Sequence, residues 1–128
     1  MTLDEVVRAH ARRIELYGGE PGVRDSAALE AAIGMPRAGF GDQYFHVDVW
    51  EMAAAYLFHI VQGHPFVDGN KRTGAAAADI FLTLNGFDLA PTEEDFEALV
   101  LRTARGECAK AEIAEFFRTH SRSIDSSP

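Results

Sequence analysis

The sequence predicts an all-α protein, a compact bundle of about six helices, on three observations. Capping residues repeatedly stand just ahead of apolar residues at helical spacing. Two long runs, Val49 to Val61 and Thr73 to Leu84, are apolar on nearly every face and therefore belong at the centre. The 128 residues, 47% hydrophobic and 25% charged, suit one soluble domain with its own core and exclude a disordered or collagen-like chain.

The elements follow in order. Thr2 and Glu5 form a capping box, and Val6, Val7, His10, Ile14 and Tyr17 recur near helical spacing until Gly18 and Gly19 end the run. The loop GGEPGVR leads to Asp25, an N-cap for a short helix from Ser26 to about Gly34, with Pro36 just beyond. From Met35 to Val47 the chain is rich in glycine and aromatic residues without helical period, and reads as a loop or a short flap hairpin within 38–47. Asp48 and Glu51 repeat the capping-box pattern ahead of the first central helix, which carries Trp50, Met52, Leu57, Phe58 and Ile60, with Trp50 expected to be buried. The second central helix carries Ala75 to Ala78, whose small side chains permit close helix approach, and closes at Asn85-Gly86.

Thr92 then caps a helix whose first turn, Glu93, Glu94 and Asp95, suits the positive end of the helix dipole; Phe96, Leu99 and Val100 form its buried stripe. After Gly106, the residues Ala109, Ile113, Phe116 and Phe117 line one side of a last helix. Residues 1–120 are thus expected to form the domain, and 121–128 a polar C-terminal tail that frays.

Charge and composition narrow the partners. Twelve basic against twenty acidic residues give a net charge of -8, which repels nucleic acid and anionic membranes, so any phosphate binding must be local. The longest strongly apolar stretch, Met52 to Val61, falls well short of the roughly 20 residues that span a bilayer. The start MTLDEVVRAH lacks the regions of a secretory signal, and the single cysteine, Cys108, cannot form an internal disulfide. Both favour the cytoplasm. Cys108 itself reads as a packing residue.

The chemistry is concentrated between the two central helices, in the run from Gly63 to Gly74. Pro65 ends the preceding helix and biases His64 towards an extended conformation, while Phe66 can anchor the loop in the core. Gly69 and Asn70 allow a tight turn, so that the next helix starts near Asn70 or Lys71 and points free N–H groups at the loop. Lys71 and Arg72 add two cations there, which costs about 0.3–1 kcal/mol each at a helix N-terminus unless an anion binds. Asp68 offers a hard oxygen for Mg²⁺, which commonly takes one or two carboxylates plus substrate oxygens. His64 is of the residue type whose ordinary pKa lets it accept a proton at neutral pH. Base, metal ligand and phosphate clamp together describe phosphoryl or nucleotidyl transfer.

Blander readings fit other residues better. His10, His46, His59 and His120 read as structural or exposed histidines. Lys71 with Arg72 taken alone would also fit a solvated helix start, but coincidence is much less plausible for the whole run, in which every member has a role at the spacing found. A metal hydrolase using His59 and His64 is disfavoured, because their spacing does not put two ligands on one helical face. No Walker-type phosphate loop is present.

The run His64-Pro-Phe-Val-Asp-Gly-Asn-Lys-Arg resembles the signature of Fic proteins, H-P-F-x-[DE]-G-N-[GK]-R. From Leu3 through Phe117 the chain is similar to the death-on-curing, or Doc, branch, including GGEPGVRDSAALEAA and FLTLNGFDL. The resemblance implies the all-helical Fic fold, with ATP and Mg²⁺ as cofactors and a short flap that aligns a protein substrate. It implies that His64 deprotonates a target hydroxyl, Asp68 holds Mg²⁺, and Gly69, Asn70, Lys71 and Arg72 bind the phosphates of ATP, with Phe66 as core anchor. Lys71 stands where AMP-transferring Fic enzymes generally carry glycine. The Doc resemblance instead implies a toxin of a toxin–antitoxin pair that phosphorylates elongation factor Tu, arrests translation and is blocked by an antitoxin protein. The alternatives are an adenylyltransferase, and a catalytically inactive binding module. The nearest string to the Fic inhibitory helix, Ser26 to Ala31, ends wrongly, so Glu30 reads as a helix-surface residue and inhibition falls to a separate partner.

Overall fold

Capping decides where most helices begin. The computed structural model describes residues 1–35, 39–40, 43–44 and 48–124, and its first helix, α1 (Leu3–Tyr17), opens on the reciprocal Thr2–Glu5 capping box. Helix α2 (Ser26–Gly34) opens on Asp25, whose carboxylate accepts from the Ala28 N–H. Strands β1 (Gly39–Phe40) and β2 (Gln43–Tyr44) form an antiparallel pair, with Gly39 opposite Tyr44 and Phe40 opposite Gln43. This is the flap hairpin that the sequence allowed; residues 36–38, 41–42 and 45–47, including His46, lie outside the described residues.

Helix α3 (Val49–Gly63) starts at Asp48, which accepts from the Glu51 N–H at 2.8 Å. It is the central helix, with Ala53, Ala54, Ala55, Tyr56, Leu57, Ile60 and Val61 all removed from solvent. Helix α4 (Asn70–Leu84) packs along it through Gly74, Ala77 and Ala78. A Cβ on Gly74 would stand 2.8 Å from the Val61 Cγ2 and 3.3 Å from the Leu57 carbonyl oxygen. The backbones can approach this closely only because that side chain is missing.

Beyond α4 the chain forms strand β3 (Phe87–Leu89), helix α5 (Glu93–Ala104), helix α6 (Lys110–Thr119) and strand β4 (Ser121–Ser123). Thr92 caps α5 by accepting from the Asp95 N–H. Ile113 and Phe117 of α6 and Leu99 and Val100 of α5 close the core. Full burial of a side chain such as Phe117 contributes about 1.5–3 kcal/mol.

Two expectations are corrected. Residues 121–124 do not fray: β4 pairs antiparallel with β3, Arg122 bridges Asp88 at 3.0 Å, and the Ile124 N–H donates to the Gly86 carbonyl. Backbone groups on both short strands gain partners that neither finds locally; residues 125–128 lie outside the described ones. Trp50 is only partly buried, because it sits in the first turn of α3, at the rim of the core, where its ring packs on Phe87 at 4.4 Å between centroids.

Candidate active site

The motif loop joins the end of α3 to the start of α4, and its conformation is set from outside. His64 is the C-cap of α3 in the left-handed region, with φ 46° and ψ 52°. This corrects the extended conformation expected from Pro65. The preference against the right-handed helical region holds, but the residue takes the left-handed region common just past helix C-termini rather than the extended one. Arg24 donates from Nε to the His64 carbonyl at 2.7 Å and from Nη2 to the Gly63 carbonyl at 3.1 Å. The Arg24 and Asp25 N–H groups both donate to the Pro65 carbonyl, and the Val67 N–H donates to the Gly22 carbonyl. The His64 side chain is exposed and makes no hydrogen bond with the described residues.

Phe66 is buried as expected, and Asn70 explains how the turn is held. The Asn70 Oδ1 accepts from the Phe66 N–H and its Nδ2 donates to the Phe66 carbonyl, both at 3.0 Å. The Asn70 side chain is therefore engaged in the loop itself and buried, so that what Asn70 can offer an anion is its backbone N–H. His10, a buried residue of α1, stacks on the Phe66 ring at 3.8 Å between centroids, and its Nε2 contacts the Asp68 carbonyl at 2.8 Å.

Gly69 has φ 77° and caps α4, and a Cβ there would also press on Ile14 at 3.2 Å. The first hydrogen bond of the helix runs from the Thr73 N–H to the Gly69 carbonyl. The N–H groups of Asn70, Lys71 and Arg72 are thus left without helical acceptors, at the positive end of the dipole. Lys71 and Arg72 are exposed and form no ion pair with the described residues; the Arg72 guanidinium lies over the Tyr17 ring, 4.8 Å from its centroid.

Asp68 is exposed on the same turn. Its Oδ1 accepts from the Gly69 N–H and its Oδ2 from the Glu20 N–H. These two bonds, helped by the positive charges of Arg72 and Lys71, hold its carboxyl below the ordinary carboxylate value. An ionised, accessible carboxylate beside free N–H groups fits a Mg²⁺ ion whose remaining ligands come from phosphates and water. Among the described residues no group of three or more His, Cys, Asp or Glu side chains could hold a metal, so a metal here would depend on substrate oxygens.

The structure therefore gathers Asp68, Lys71, Arg72 and the N-terminus of α4 on one turn, with His64 at the preceding helix end. Sequence reasoning missed the supporting residues His10, Tyr17, Glu20 and Arg24. For His10 a signal existed: it shares the Val6–His10–Ile14 stripe, four residues apart along α1. Cys108 is buried, and burial pushes its thiol above the ordinary value, which suits packing rather than nucleophilic chemistry. Glu30 is exposed on α2, as expected. No described helix is long and apolar enough to cross a membrane.

Residues 1–82 match the family model described as the Fic/DOC family. A protein of Escherichia phage P1 named Protein kinase doc is 34% identical over 115 residues, 90% of each chain. One of Mycolicibacterium smegmatis named Toxin Doc is 37% identical over 106 residues, 78% of this chain and 82% of that protein. On both counts, the chain belongs to the Fic/DOC family and is Doc-like over nearly its whole length.

Proposed function

We propose that this protein is a Doc-like toxin that uses ATP to phosphorylate a hydroxyl of a translation protein. The observation that carries the reading is the exposed His64 side chain at the end of α3, without a hydrogen-bond partner among the described residues, one loop ahead of the N-terminal N–H groups, Lys71 and Arg72 of α4. A relative named Protein kinase doc at 34% identity supports phosphoryl rather than AMP transfer, and so does Lys71 in place of glycine.

In this reading His64 takes the proton of the target hydroxyl as its oxygen attacks the γ-phosphorus. The bond from the γ-phosphorus to the β–γ bridging oxygen breaks, and ADP leaves with that electron pair. The α4 N–H groups, Lys71 and Arg72 hold the phosphate oxygens in place and offset their charge. Asp68 is the residue that would hold Mg²⁺, which when bound supplies further charge neutralisation between the phosphates. The target implied by the Doc resemblance is elongation factor Tu, and the regulator an antitoxin protein that covers the site, both in the cytoplasm.

The test is transfer of label to elongation factor Tu from γ-labelled and from α-labelled ATP. Label from the γ position alone, with a mass gain of one phosphate, is expected. Label from the α position would replace the kinase reading by adenylylation, and no turnover of ATP at all would leave a binding module.

A further inference from the structure

His64 is the single non-glycine residue with positive φ among the described residues, a sparsely populated conformation that persists only where surroundings over-determine it. Pro65 works towards extended backbone instead. The opposing force has to come from elsewhere in the chain, and among the described residues only Arg24 hydrogen-bonds the His64 backbone with a side chain. Its guanidinium spans the last carbonyl of α3 and the carbonyl of His64 itself, at 3.1 and 2.7 Å, two groups that a helix end leaves without partners. The segment that carries Arg24 is fastened to the motif on the far side of His64, through the Pro65 carbonyl and an isolated bridge between Val23 and Phe66. Arg24 thus grips the peptide carbonyls on both sides of the His64 Cα.

We propose that Arg24 is a positioning residue that holds His64 in its left-handed conformation and so aims the imidazole at the N-terminus of α4. The proposal rests on the reading of His64 as the base. Arg24 itself touches no reacting atom. Without its two donors the His64 backbone relaxes towards the extended region that Pro65 prefers, which rotates the side chain away from the phosphates while the clamp on α4 stays intact. A planar fork is needed, since a single ammonium cannot span both carbonyls in the same way.

The experiment uses the full chain, with Arg24→Ala, Arg24→Lys and His64→Ala beside the wild type. The readouts are the ¹³Cα and ¹³Cβ shifts of His64, which report its backbone conformation, and kcat and KM for ATP in the labelling assay. Arg24→Ala should move the His64 shifts towards extended values and lower kcat by up to about a hundredfold, the scale of a misplaced catalytic group. KM for ATP should stay near that of the wild type, and Arg24→Lys should fall between. Unmoved His64 shifts in Arg24→Ala overturn the proposal, and a large rise in KM with those shifts unmoved would make Arg24 a nucleotide ligand instead. Should Arg24→Ala not fold, the same shifts in Arg24→Lys decide. If His64→Ala is inactive while Arg24→Ala is fully active, the proposal alone fails; if His64→Ala keeps full activity, the base reading fails and the proposal with it.

Discussion

The His10 imidazole lies flat on the Phe66 ring, with centroids 3.8 Å apart and planes 4° from parallel, while its Nε2 donates to the Asp68 carbonyl at 2.8 Å. Because a carbonyl can only accept, Nε2 carries the hydrogen. One buried side chain of α1 therefore fixes both ends of the turn that presents Asp68. Removing it in His10→Ala strands a carbonyl, at about 1–3 kcal/mol, and loses an aromatic contact, at about 0.5–1.5 kcal/mol. Denaturant unfolding should show a loss of that combined size, and His10→Phe should recover only the ring part. A His10→Phe protein as stable as the wild type would mean that the Asp68 bond contributes nothing.

The reach of this contact also shows what the sequence could and could not reveal. All six helices were legible because their signals are local: Thr2, Asp25, Asp48 and Thr92 cap within three residues of themselves, and glycines or prolines lie close to the ends. The motif turn was legible for the same reason. The β3–β4 pair was not, since two three-residue strands separated by α5 and α6 carry no pattern of their own and exist through backbone pairing and the Asp88–Arg122 bridge. Nor was the His64 conformation, because it depends on Arg24, 40 residues away, against the local preference set by Pro65. The role of the Asn70 side chain in holding the loop was not legible either, because its partner, the Phe66 backbone, carries no side-chain signal.

At Gly74 two effects oppose each other, and their sizes decide the outcome. Gly74→Ala should gain about 1 kcal/mol of helix propensity. It also places a Cβ 2.8 Å from Val61 and 3.3 Å from the Leu57 carbonyl, and the latter is backbone of the central helix that cannot turn aside. Overpacking of this kind costs about 1–3 kcal/mol, so the net change should be destabilising and Gly74→Val worse than Gly74→Ala. Thermal unfolding measures it; a raised midpoint for Gly74→Ala would show that α3 and α4 have room to separate.

Two carboxylates should respond to pH with opposite sign. The folded protein holds Asp68 below its ordinary value of 3.8, through the Gly69 and Glu20 N–H groups first and Arg72 and Lys71 after them. Its ionised form is favoured by folding, so its contribution is present above about pH 3.8 and fades as pH falls through the lower folded value. Partial burial, with Asp88 adding to it and Arg13 opposing, raises Asp79 above 3.8. Ionised Asp79 therefore disfavours folding above its raised value, and that penalty vanishes below the unfolded one. At pH 7 Asp79→Asn should raise the unfolding midpoint and Asp68→Asn lower it, with both differences shrinking towards pH 3. Asp68→Asn should also abolish the Mg²⁺ dependence of transfer. Differences that persist unchanged at pH 3 would assign these effects to packing instead of charge.

Lys71 offers the sharpest division between the two transfer chemistries, because its loss is nearly silent for the fold. A cation in the first turn of α4 opposes the dipole by about 0.3–1 kcal/mol, so Lys71→Gly gains about what it gives up in helix propensity. The side chain is exposed and forms no ion pair with the described residues, so no packing is lost either. The unfolding midpoint should therefore barely move while γ-phosphoryl transfer falls. Lys71→Met then separates charge from bulk, since it fills similar space without an ammonium. If charge holds the terminal phosphate beside His64, both variants should lose activity alike, and added salt should weaken ATP binding less in either than in the wild type. If bulk sets the pose of ATP, Lys71→Met should keep most of its activity and Lys71→Gly little. Neither variant need gain AMP transfer, because other residues also shape the nucleotide site. Full γ-transfer by Lys71→Gly would remove the side chain from the mechanism and leave the N–H groups of α4 with Arg72 as the whole of the phosphate clamp.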